Sequence, residues 1–331
     1  MKKYRSAIIG CGRIGSEFDI KKPVKTAFSH AGSYSIFPGT SLVAVSDLEK
    51  SKLDSAKKKW AVDSAYLDYK EMLKNEHIDI LSVCTPPETH EPIIKYVSTF
   101  PLKAILCEKP ISNNTKDAQN IIRICKEKKI LLMVNHQRRF APFFKELREK
   151  MLSEKFGKVQ QVNCYYTRGI FNTGSHIIDL FSFLFGFPEW LTASYSQSNS
   201  PFKYDPNLDA SIKFKNGPLA SMRACDDSCY LILEMDILTS KARIRLGKEF
   251  EYFEVSTGKN LLKRHELMKT KIPPFQHAYG PVSLTYGIGH IINCLEHKEK
   301  PVSSGEDAFC SLKIIEAMLS SANSEERHHF K

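Results

Sequence analysis

The sequence lacks any long hydrophobic run. No apolar stretch approaches the roughly 20 residues that a helix needs to span a bilayer. The start of the chain, residues 1–5, is rich in positive charge but does not lead into the apolar core of a signal peptide. We therefore expect a cytoplasmic protein without a membrane partner. Because hydrophobic residues still make up 42% of the 331 residues, we expect about two domains, each with its own buried core.

A metal-binding pattern of cysteines is also missing. The nine cysteines are odd in number, and Cys84, Cys107 and Cys125 lie inside apolar runs, which is typical of small buried side chains in a reducing compartment. Cys225 and Cys229 form one pair at a possible ligand spacing, but no second pair follows it in the sequence. A structural zinc site needs four ligands, so we expect no metal.

The sequence carries little acidic charge relative to its basic charge, and its net charge is +11. A strongly basic chain is typical of proteins with an anionic partner. However, the lysines are spread through predicted helices such as 50–59 and 126–129, with no RNA-binding signature or aromatic-basic stripe beside them. We expect no nucleic-acid partner. A phosphorylated or nucleotide-linked substrate is one alternative explanation of the charge, and a lysine-rich composition is the simplest.

A glycine-rich segment follows the first predicted strand, residues 6–9, in the pattern G-x-G-x-x-G. Gly10 allows a tight turn, Gly12 lets the backbone approach a pyrophosphate, and Gly15 lets the next helix pack close to the strand. The phosphates would then lie on the N–H groups of a helix start. The segment predicts a dinucleotide site formed by Gly10, Gly12, Arg13, Ile14 and Gly15.

An acidic residue, Asp47, ends the second predicted strand, residues 41–46. An acid here binds the adenosine ribose hydroxyls and repels a 2′-phosphate, which favours NAD over NADP. The interval from Gly15 to Asp47 is longer than the about 20 residues of the fingerprint. We interpret residues 16–39 as containing an inserted loop near the cofactor, after which Ser29 restarts a helix. The alternative is that Asp47 only caps the helix predicted over 48–60.

Strands and helices then alternate along the first half of the chain. Further strands are predicted over 78–84, 104–107 and 130–134, and Ser112 or Asn114 caps an amphipathic helix between the last two. This alternation predicts an α/β Rossmann domain, a doubly wound parallel sheet, over residues 1–134.

Two charged residues, Glu108 and Lys109, follow the buried strand 104–107 directly. Open parallel sheets bind ligands outside the carboxyl ends of their strands, and Pro110 ends the hydrogen-bond ladder at this point. We therefore expect both charged side chains at a cleft. The alternative is an ordinary strand that ends in solvated charges.

These residues resemble the Gfo/Idh/MocA family of oxidoreductases. The resemblance rests on the glycine segment, on Thr85-Pro86 with His90, on Glu108-Lys109-Pro110, and on a later Gly174-x-His176-x-x-Asp179. It implies a Rossmann domain followed by an α+β domain, residues 135–331, whose large, mostly antiparallel sheet often forms a dimer or tetramer. It also implies a cis Lys109–Pro110 bond. Residues implied to contact the cofactor are Thr85, Pro86, His90, Glu108 and Lys109.

A histidine, His176, lies at the start of a predicted helix with an apolar face. The residues alone favour an ordinary core histidine, whereas the resemblance implies a general base, for which a pKa near 6.5 is suitable. The family pattern has an aspartate four residues earlier, where this chain has Asn172. Asp179 could orient His176 instead, or Asn172 could bind a substrate hydroxyl directly.

Other candidate substrate residues come from the second domain. The resemblance implies an arginine near its start, and we favour Arg139 over Arg138; the alternative is a helix-start charge pair. Tyr165, Tyr166 and Arg168 could line the substrate site, and Tyr279 and His290 are weaker candidates. For each of these residues, an ordinary surface position on a sheet or helix is the favoured interpretation.

The second half of the chain is rich in predicted strands. Alternating polar and apolar residues predict strands over 159–167, 210–214, 219–224, 231–238, 241–246 and 251–255, with a hairpin turn at Asn216-Gly217. A final helix is predicted over 306–322, and residues 325–331 are predicted to be a frayed tail.

Together these patterns predict a reversible hydride transfer between NAD and a hydroxyl of a sugar, polyol or nucleotide sugar. His176 would take the hydroxyl proton, and Lys109 would stabilise the developing alkoxide. Two alternatives remain open. One is an NAD-dependent glycoside hydrolase or lyase that oxidises its sugar transiently, and the other is a non-enzymatic sensor that binds a dinucleotide.

Overall fold

The computed structural model describes residues 3–21, 27–215, 217–250, 252–261, 264–269 and 284–330. The chain forms two compact units, of which the first comprises Met1–Ala141 with Val282–Phe309 and the second comprises Pro142–Pro281 with Cys310–Lys331. The division into domains at residues 134 and 135 stays a prediction. No helix in the described ranges is both long and apolar enough to cross a bilayer.

The first unit contains a six-stranded parallel sheet with the strand order β3-β2-β1-β4-β5-β6. This order is that of a doubly wound Rossmann sheet, as predicted. The strands form because short apolar runs are buried on both faces; in β4 and β5 every residue is buried. The strands are Tyr4–Ile9 (β1), Thr40–Ser46 (β2), Ser64–Tyr66 (β3), Ile80–Val83 (β4), Ala104–Cys107 (β5) and Leu131–Val134 (β6).

Side-chain caps mark the starts of several helices around this sheet. Ser29 accepts a hydrogen bond from the N–H of Gly32, and Asn114 accepts one from Asp117. Asn114, rather than Ser112, is therefore the cap of its helix. The helices are His30–Ile36 (α1), Lys50–Trp60 (α2), Tyr69–Asn75 (α3), His90–Val97 (α4), Thr115–Glu127 (α5) and Gln137–Phe140 (α6).

The second unit is built on a nine-stranded sheet with the order β14-β13-β12-β11-β7-β10-β9-β8-β15. Among the described strands of this second sheet, only β7 and β10 pair in parallel, so the sheet is mostly antiparallel, as expected. The strands are Val159–Tyr166 (β7), Pro188–Tyr195 (β8), Leu208–Phe214 (β9), Leu219–Ala224 (β10), Leu233–Thr239 (β11), Ala242–Gly247 (β12), Tyr252–Leu261 (β13), Arg264–Lys269 (β14) and His328–His329 (β15).

One face of this second sheet is covered and the other is more open, because buried and half-buried residues alternate strictly along β9 and β11. Pro142–Leu152 (α7) and Ser175–Phe185 (α8) belong to the same unit, and a π-helix over Gly169–Gly174 leads directly into α8. The predicted hairpin joins β9 to β10, where the N–H of Gly217 donates to Phe214. Asn216 lies outside the described residues.

Residues 327–330 contact other parts of the second unit, so the prediction of a frayed tail is wrong. β15 pairs with β8, and the Arg327 guanidinium lies 3.9 Å from the ring centroid of Trp190. The Phe330 ring also contacts Phe187, at 4.9 Å between centroids. The tail is held because β8, which the sequence analysis did not identify, offers an edge and an aromatic surface to it.

Two later helices are Thr285–His297 (α9) and Gly305–Ser324 (α10). α9 buries Ile288, Ile291 and Ile292 in the core of the first unit, alongside Tyr34. The next residues run beside β6, where the N–H of Val134 donates to the carbonyl of Ser303. The first unit is thus completed by a segment that is remote in sequence.

Candidate active site

The glycine segment turns sharply after β1. Gly10 has a φ of +94°, and a Cβ there would lie 2.8 Å from the carbonyl oxygen of Cys84. A Cβ on Gly15 would lie 2.0 Å from the carbonyl oxygen of Gly10, whereas a Cβ on Gly12 would meet no atom within 4 Å. Gly10 and Gly15 are therefore glycines for close packing, and Gly12 presents open backbone, as a phosphate-binding loop requires.

A loop is inserted between this segment and α1. The N–H groups of His30 and Ala31 donate to the carbonyls of Ile14 and Gly15, at 3.0 and 2.9 Å. These bonds join residues that are remote in sequence as if they were one helical turn apart. The insertion predicted from the long interval before Asp47 is thus placed directly beside the glycine segment. Arg13, which is exposed, lies on the insertion side with its guanidinium 5.1 Å from the ring of Phe18.

A buried carboxylate closes the inserted loop. Asp19 is 1% exposed, and its Oδ2 accepts hydrogen bonds from the N–H groups of Phe28 and Ser29, at 2.8 and 2.6 Å. The Ser29 hydroxyl donates to the same oxygen at 2.7 Å. The loop is therefore pinned at its base, next to the residue that caps α1.

Asp47 is bonded to the glycine segment. One carboxylate oxygen accepts the N–H of Cys11 at 2.7 Å, and the other accepts the N–H of Glu49 at 2.8 Å. The second contact partly supports the capping alternative, because Glu49 precedes α2. Each carboxylate oxygen has two acceptor sites, so the half-buried group retains capacity for ribose hydroxyls. Burial first, and then the charge of Asp47, raise the pKa of Cys11 to about 12.

His90 is buried behind the turn that follows β4. Its Nε2 lies 2.8 Å from the carbonyl oxygen of Thr85, and its Nδ1 lies 3.1 Å from that of Ile111. Burial lowers the pKa of His90, which keeps the ring neutral at pH 7. The imidazole therefore lies between the Thr85-Pro86 turn and the residues after Pro110, and its single N–H can donate to only one of the two carbonyl oxygens.

Glu108 is buried within the first unit, so it is not the solvated charge of the alternative interpretation; its position at a cleft stays a prediction. The residue is 8% exposed, and its Oε1 accepts hydrogen bonds from His30 Nε2, at 2.7 Å, and from the amide of Asn135. Its Oε2 accepts the N–H of Lys109 at 3.2 Å. The reason for the burial is this set of donors, which replaces water. Lys109 is half-buried, and the Lys109–Pro110 bond is cis, as the resemblance implies.

The charge state of Glu108 follows from these contacts. Burial alone would raise its pKa, but the hydrogen bond and the charge of His30, then the hydrogen bond from Asn135 and the charge of Lys109, hold the pKa below its usual range. Glu108 is therefore a carboxylate at neutral pH, placed one residue before a lysine at the carboxyl end of β5.

His30 was not identified from the sequence. Its Nδ1 lies 2.8 Å from Ser82 Oγ, and the hydroxyl of Tyr34 lies 2.8 Å from the same oxygen. The one available signal was positional, because His30 occupies the first turn of the helix that the glycine segment would start if the insertion were removed. A pattern search that counts residues across the insertion misses it.

In the second unit, Asn172 and His176 lie one helical turn apart at the junction between the π-helix and α8, and both are half-buried. The backbone of this junction is held by Asp205, whose two oxygens accept the N–H groups of Phe171 and Asn172, at 2.8 and 2.9 Å. A Cβ on Gly169 would lie 2.2 Å from the Asp205 carboxyl carbon, so only glycine allows this approach.

The two residues after Asp205 continue the same support. The carbonyl of Pro206 accepts the N–H of Ile170, and the side chain of Asn207 accepts the N–H of Gly169, both at 2.9 Å. Four successive N–H groups at the start of the π-helix are thus bonded to residues 205–207, which we call the brace. Nothing in the sequence pattern connected the brace to His176.

The remaining candidates have separate surroundings. Arg139 is 4% exposed and forms an ion pair with Asp307 at 2.7 Å. Tyr165 is 47% exposed on β7, and Asp179, which is 2% exposed, accepts a long hydrogen bond of 3.4 Å from Ser311. The substrate role of Arg139 and Tyr165 and the orienting role of Asp179 stay predictions.

The other candidate substrate residues also have separate surroundings. Tyr166 is buried and donates its hydroxyl to the carbonyl of Leu208 at 2.8 Å, and Arg168 pairs with Asp227 at 2.9 Å. His290 is 6% exposed in the first unit, where it accepts the N–H of Val302. Tyr279 lies outside the described residues. In the described ranges, no group of three His, Cys, Asp or Glu side chains is arranged to hold a metal ion.

Two family models match the chain. The oxidoreductase family with the NAD-binding Rossmann fold matches residues 4–136, and the C-terminal alpha/beta domain of the same oxidoreductase family matches residues 150–328. The chain is 23% identical to D-apiose dehydrogenase of Paraburkholderia graminis, over 97% of this chain and 88% of that protein. It is 30% identical to myo-inositol 2-dehydrogenase of Thermotoga maritima, over 46% of this chain and 42% of that protein.

Solved structures share the fold at lower identity. The WlbA dehydrogenase of Bordetella pertussis in complex with NADH and UDP-GlcNAcA has a TM-score of 0.79 at 20% identity, covering 100% of this chain and 99% of that one. Levoglucosan dehydrogenase in complex with NADH and L-sorbose has a TM-score of 0.82 at 16% identity, with full coverage of both chains.

Proposed function

The chain belongs to the Gfo/Idh/MocA oxidoreductase family, and on that premise we propose that it transfers a hydride between NAD and a hydroxyl carbon of a sugar, polyol or nucleotide sugar. The observation that carries the proposal is at the carboxyl end of β5, where a buried carboxylate, Glu108, precedes the half-buried Lys109 in a Rossmann unit. The relatives named above support the substrate class, because they are dehydrogenases of an apiose and of an inositol.

The residues of the first unit fit a bound dinucleotide. The open backbone at Gly12 has room for a pyrophosphate, and Asp47 retains acceptor sites for ribose hydroxyls. A carboxylate at this position repels a 2′-phosphate, which supports NAD over NADP. The remaining cofactor residues of the proposal are Gly10, Arg13, Ile14, Gly15, Thr85, Pro86, His90, Glu108 and Lys109.

Bound NAD supplies the hydride acceptor, and the side chains supply the charge and proton chemistry. Lys109 stabilises the negative charge that develops on the substrate oxygen, through its ammonium group and a donated hydrogen bond. His176 accepts the hydroxyl proton, and Asn172 binds a neighbouring hydroxyl through its amide. Arg139 and Tyr165 complete the proposed set of substrate residues.

The cellular compartment and the oligomeric state are part of the same proposal. All nine cysteines are free, and five of them are buried, namely Cys11, Cys107, Cys125, Cys164 and Cys294, which supports a reducing compartment such as the cytoplasm. We further infer that the open face of the second unit's sheet pairs with a second copy, giving a dimer or tetramer. The proposed function involves no nucleic-acid partner.

The test is a titration of the purified protein with NADH and with NADPH, followed by nicotinamide fluorescence, and then a screen of sugars, polyols and nucleotide sugars for a change in reduced-nicotinamide absorbance. Tighter binding of NADH with turnover on any of these compounds is the expected result. Cleavage of a glycoside without net NADH would favour the hydrolase alternative, and binding without turnover on any compound would favour the sensor. No binding of either dinucleotide would overturn the proposal.

A further inference from the structure

A chain of buried polar side chains ends at Glu108. Tyr34, Ser82 and His30 are each 0% exposed, and they are linked in that order by contacts of 2.8 Å, before His30 Nε2 reaches Glu108 at 2.7 Å. These residues come from α1, β4 and the end of β5. Buried hydrogen-bonded chains of this kind fix the positions and proton locations of their members.

The donor at the Glu108 end of the chain follows from the chemistry of the carboxylate. A carboxylate only accepts, so His30 Nε2 carries a proton toward Glu108. His30 Nδ1 lies 2.8 Å from the Ser82 hydroxyl, which lies 2.8 Å from the hydroxyl of Tyr34. Burial raises the pKa of Tyr34 well above its usual range, so that it stays a donor at neutral pH. The chain therefore ends in an N–H group that is directed at the Glu108 carboxylate.

The other titratable groups that face Glu108 carry no competing charge. Burial, and then the charge of Glu108, raise the pKa values of Cys84 and Cys107 well above the usual range, so both thiols are protonated. Burial lowers the pKa of His90, so that ring is neutral at pH 7. Lys109 is the next residue in the chain, its backbone N–H donates to Glu108, and its positive charge helps to hold the pKa of Glu108 down.

We propose that His30 is a positioning residue: its hydrogen bond keeps Glu108 ionised, and the Glu108 carboxylate in turn keeps the amine of Lys109 in its charged ammonium form. A buried carboxylate and a neighbouring ammonium stabilise each other's charged states. Loss of the His30 donor leaves the burial of Glu108 less compensated, so a fraction of Glu108 becomes protonated and the ammonium of Lys109 loses its counter-charge. The importance of this effect for catalysis rests on the proposed function, whereas the charge coupling itself does not.

The coupling can be measured without cofactor or substrate. Acetic anhydride acylates only the uncharged amine, so the rate at which Lys109 is acetylated, followed by peptide mass spectrometry from pH 6 to pH 10, reports its uncharged fraction. Lys103 is the internal reference, because it lies at the opposite end of the same strand and pairs with Asp79. Failure of the dehydrogenase proposal leaves this measurement unaffected.

Four variants separate the roles. In Glu108→Gln and in His30→Leu, Lys109 should be acetylated at least about fivefold faster than in wild type at pH 8. A fivefold change corresponds to about 0.95 kcal/mol. His30→Gln keeps a donor at the Nε2 position and should return the rate to within about twofold of wild type. Ser6 is a buried serine on β1, the strand that pairs with β4. In the control variant Ser6→Ala, Lys109 should be acetylated at the wild-type rate.

The proposal is overturned if His30→Leu acetylates Lys109 at the wild-type rate while Glu108→Gln accelerates it, or if neither variant changes the rate. Should His30→Leu not fold, the infrared difference spectrum of wild type minus Glu108→Gln tests the ionised state of Glu108 on which the proposal depends. A carboxylate band for Glu108 that persists below pH 5 supports the proposal, and a protonated-carboxyl band at pH 7 overturns it.

Discussion

The Asp205 carboxylate accepts the backbone N–H of Asn172 at 2.9 Å, and this contact joins a loop to the helix junction that presents His176. The other carboxylate oxygen accepts the N–H of Phe171. A carboxylate at the start of a helical segment both pairs with free N–H groups and complements the local dipole. The position of Asn172 thus depends on a residue more than thirty positions later in the sequence.

Replacing Asp205 should loosen this junction. Asp205→Ala removes two hydrogen bonds to a charged group and should lower the free energy of unfolding by about 2–3 kcal/mol, with a larger loss of turnover than of NADH affinity. Asp226→Ala is the control, because Asp226 is a half-buried acid in the same unit that also accepts a backbone N–H. Chemical denaturation and NADH titration measure both quantities, and equal effects of the two variants would contradict the role of the brace.

The two glycines of the phosphate loop should respond differently to the same substitution. Gly15→Ala forces a Cβ against the Gly10 carbonyl and should destabilise the fold by about 3 kcal/mol. Gly12→Ala adds a methyl group into open space, so the melting temperature should hold while NADH binding weakens at least about tenfold. Thermal unfolding and fluorescence titration distinguish the two. A Gly12→Ala variant that binds NADH normally would argue against phosphate binding at this loop.

The charge of Asp47 should set the choice of dinucleotide. Asp47→Asn keeps an acceptor for the N–H of Cys11 but removes the charge that repels a 2′-phosphate, so the preference for NADH over NADPH should fall at least about tenfold, or about 1.4 kcal/mol. Asp68→Asn is a matched control, since Asp68 accepts a backbone N–H at the start of α3. An unchanged ratio of the two dissociation constants would show that Asp47 does not face the ribose.

The depressed pKa of Glu108 predicts a pH dependence of stability. A carboxyl whose folded pKa lies below its unfolded value of about 4.3 stabilises the fold above that value, and the contribution disappears as the pH falls through the folded pKa. The difference in unfolding free energy between wild type and Glu108→Gln should therefore be constant from pH 6 to pH 8 and should shrink below about pH 4. Urea denaturation at each pH measures it, and a difference that grows on acidification would contradict the assignment.

The sheet of the first unit could be predicted from the sequence because its strands are short apolar runs, and burial on both faces gives that signal directly. α9 shows the limit of this approach. The sequence analysis named no element over these residues, and their isoleucines contain no information on which sheet they will cover. In the structure α9 buries Ile288 and Ile291 in the core of the first unit, although it is remote in sequence from β6.

The candidate site was predictable where it depended on local sequence. Lys109 and His176 were found from motifs, whereas His30 and Asp205 were missed because their partners, Glu108 and Asn172, are far away in the chain. Hydrogen bonds between distant segments depend on the fold and leave no spacing pattern. The edge strand β15 was missed for the same reason, since it forms only because β8 offers a partner.

Lys109, although it is one of the proposed cofactor residues, should act mainly on the reacting oxygen and contribute little to dinucleotide affinity. The most direct test of this central claim compares Lys109→Ala with Lys103→Ala, a lysine at the opposite end of β5, in NADH affinity and in turnover of whichever sugar or polyol the wild type oxidises. We expect Lys109→Ala to bind NADH within about threefold of wild type, while kcat falls about 10²–10³-fold, the loss typical of removing a group that stabilises an oxyanion. Parallel loss of affinity and turnover, or an unchanged kcat, would contradict this account.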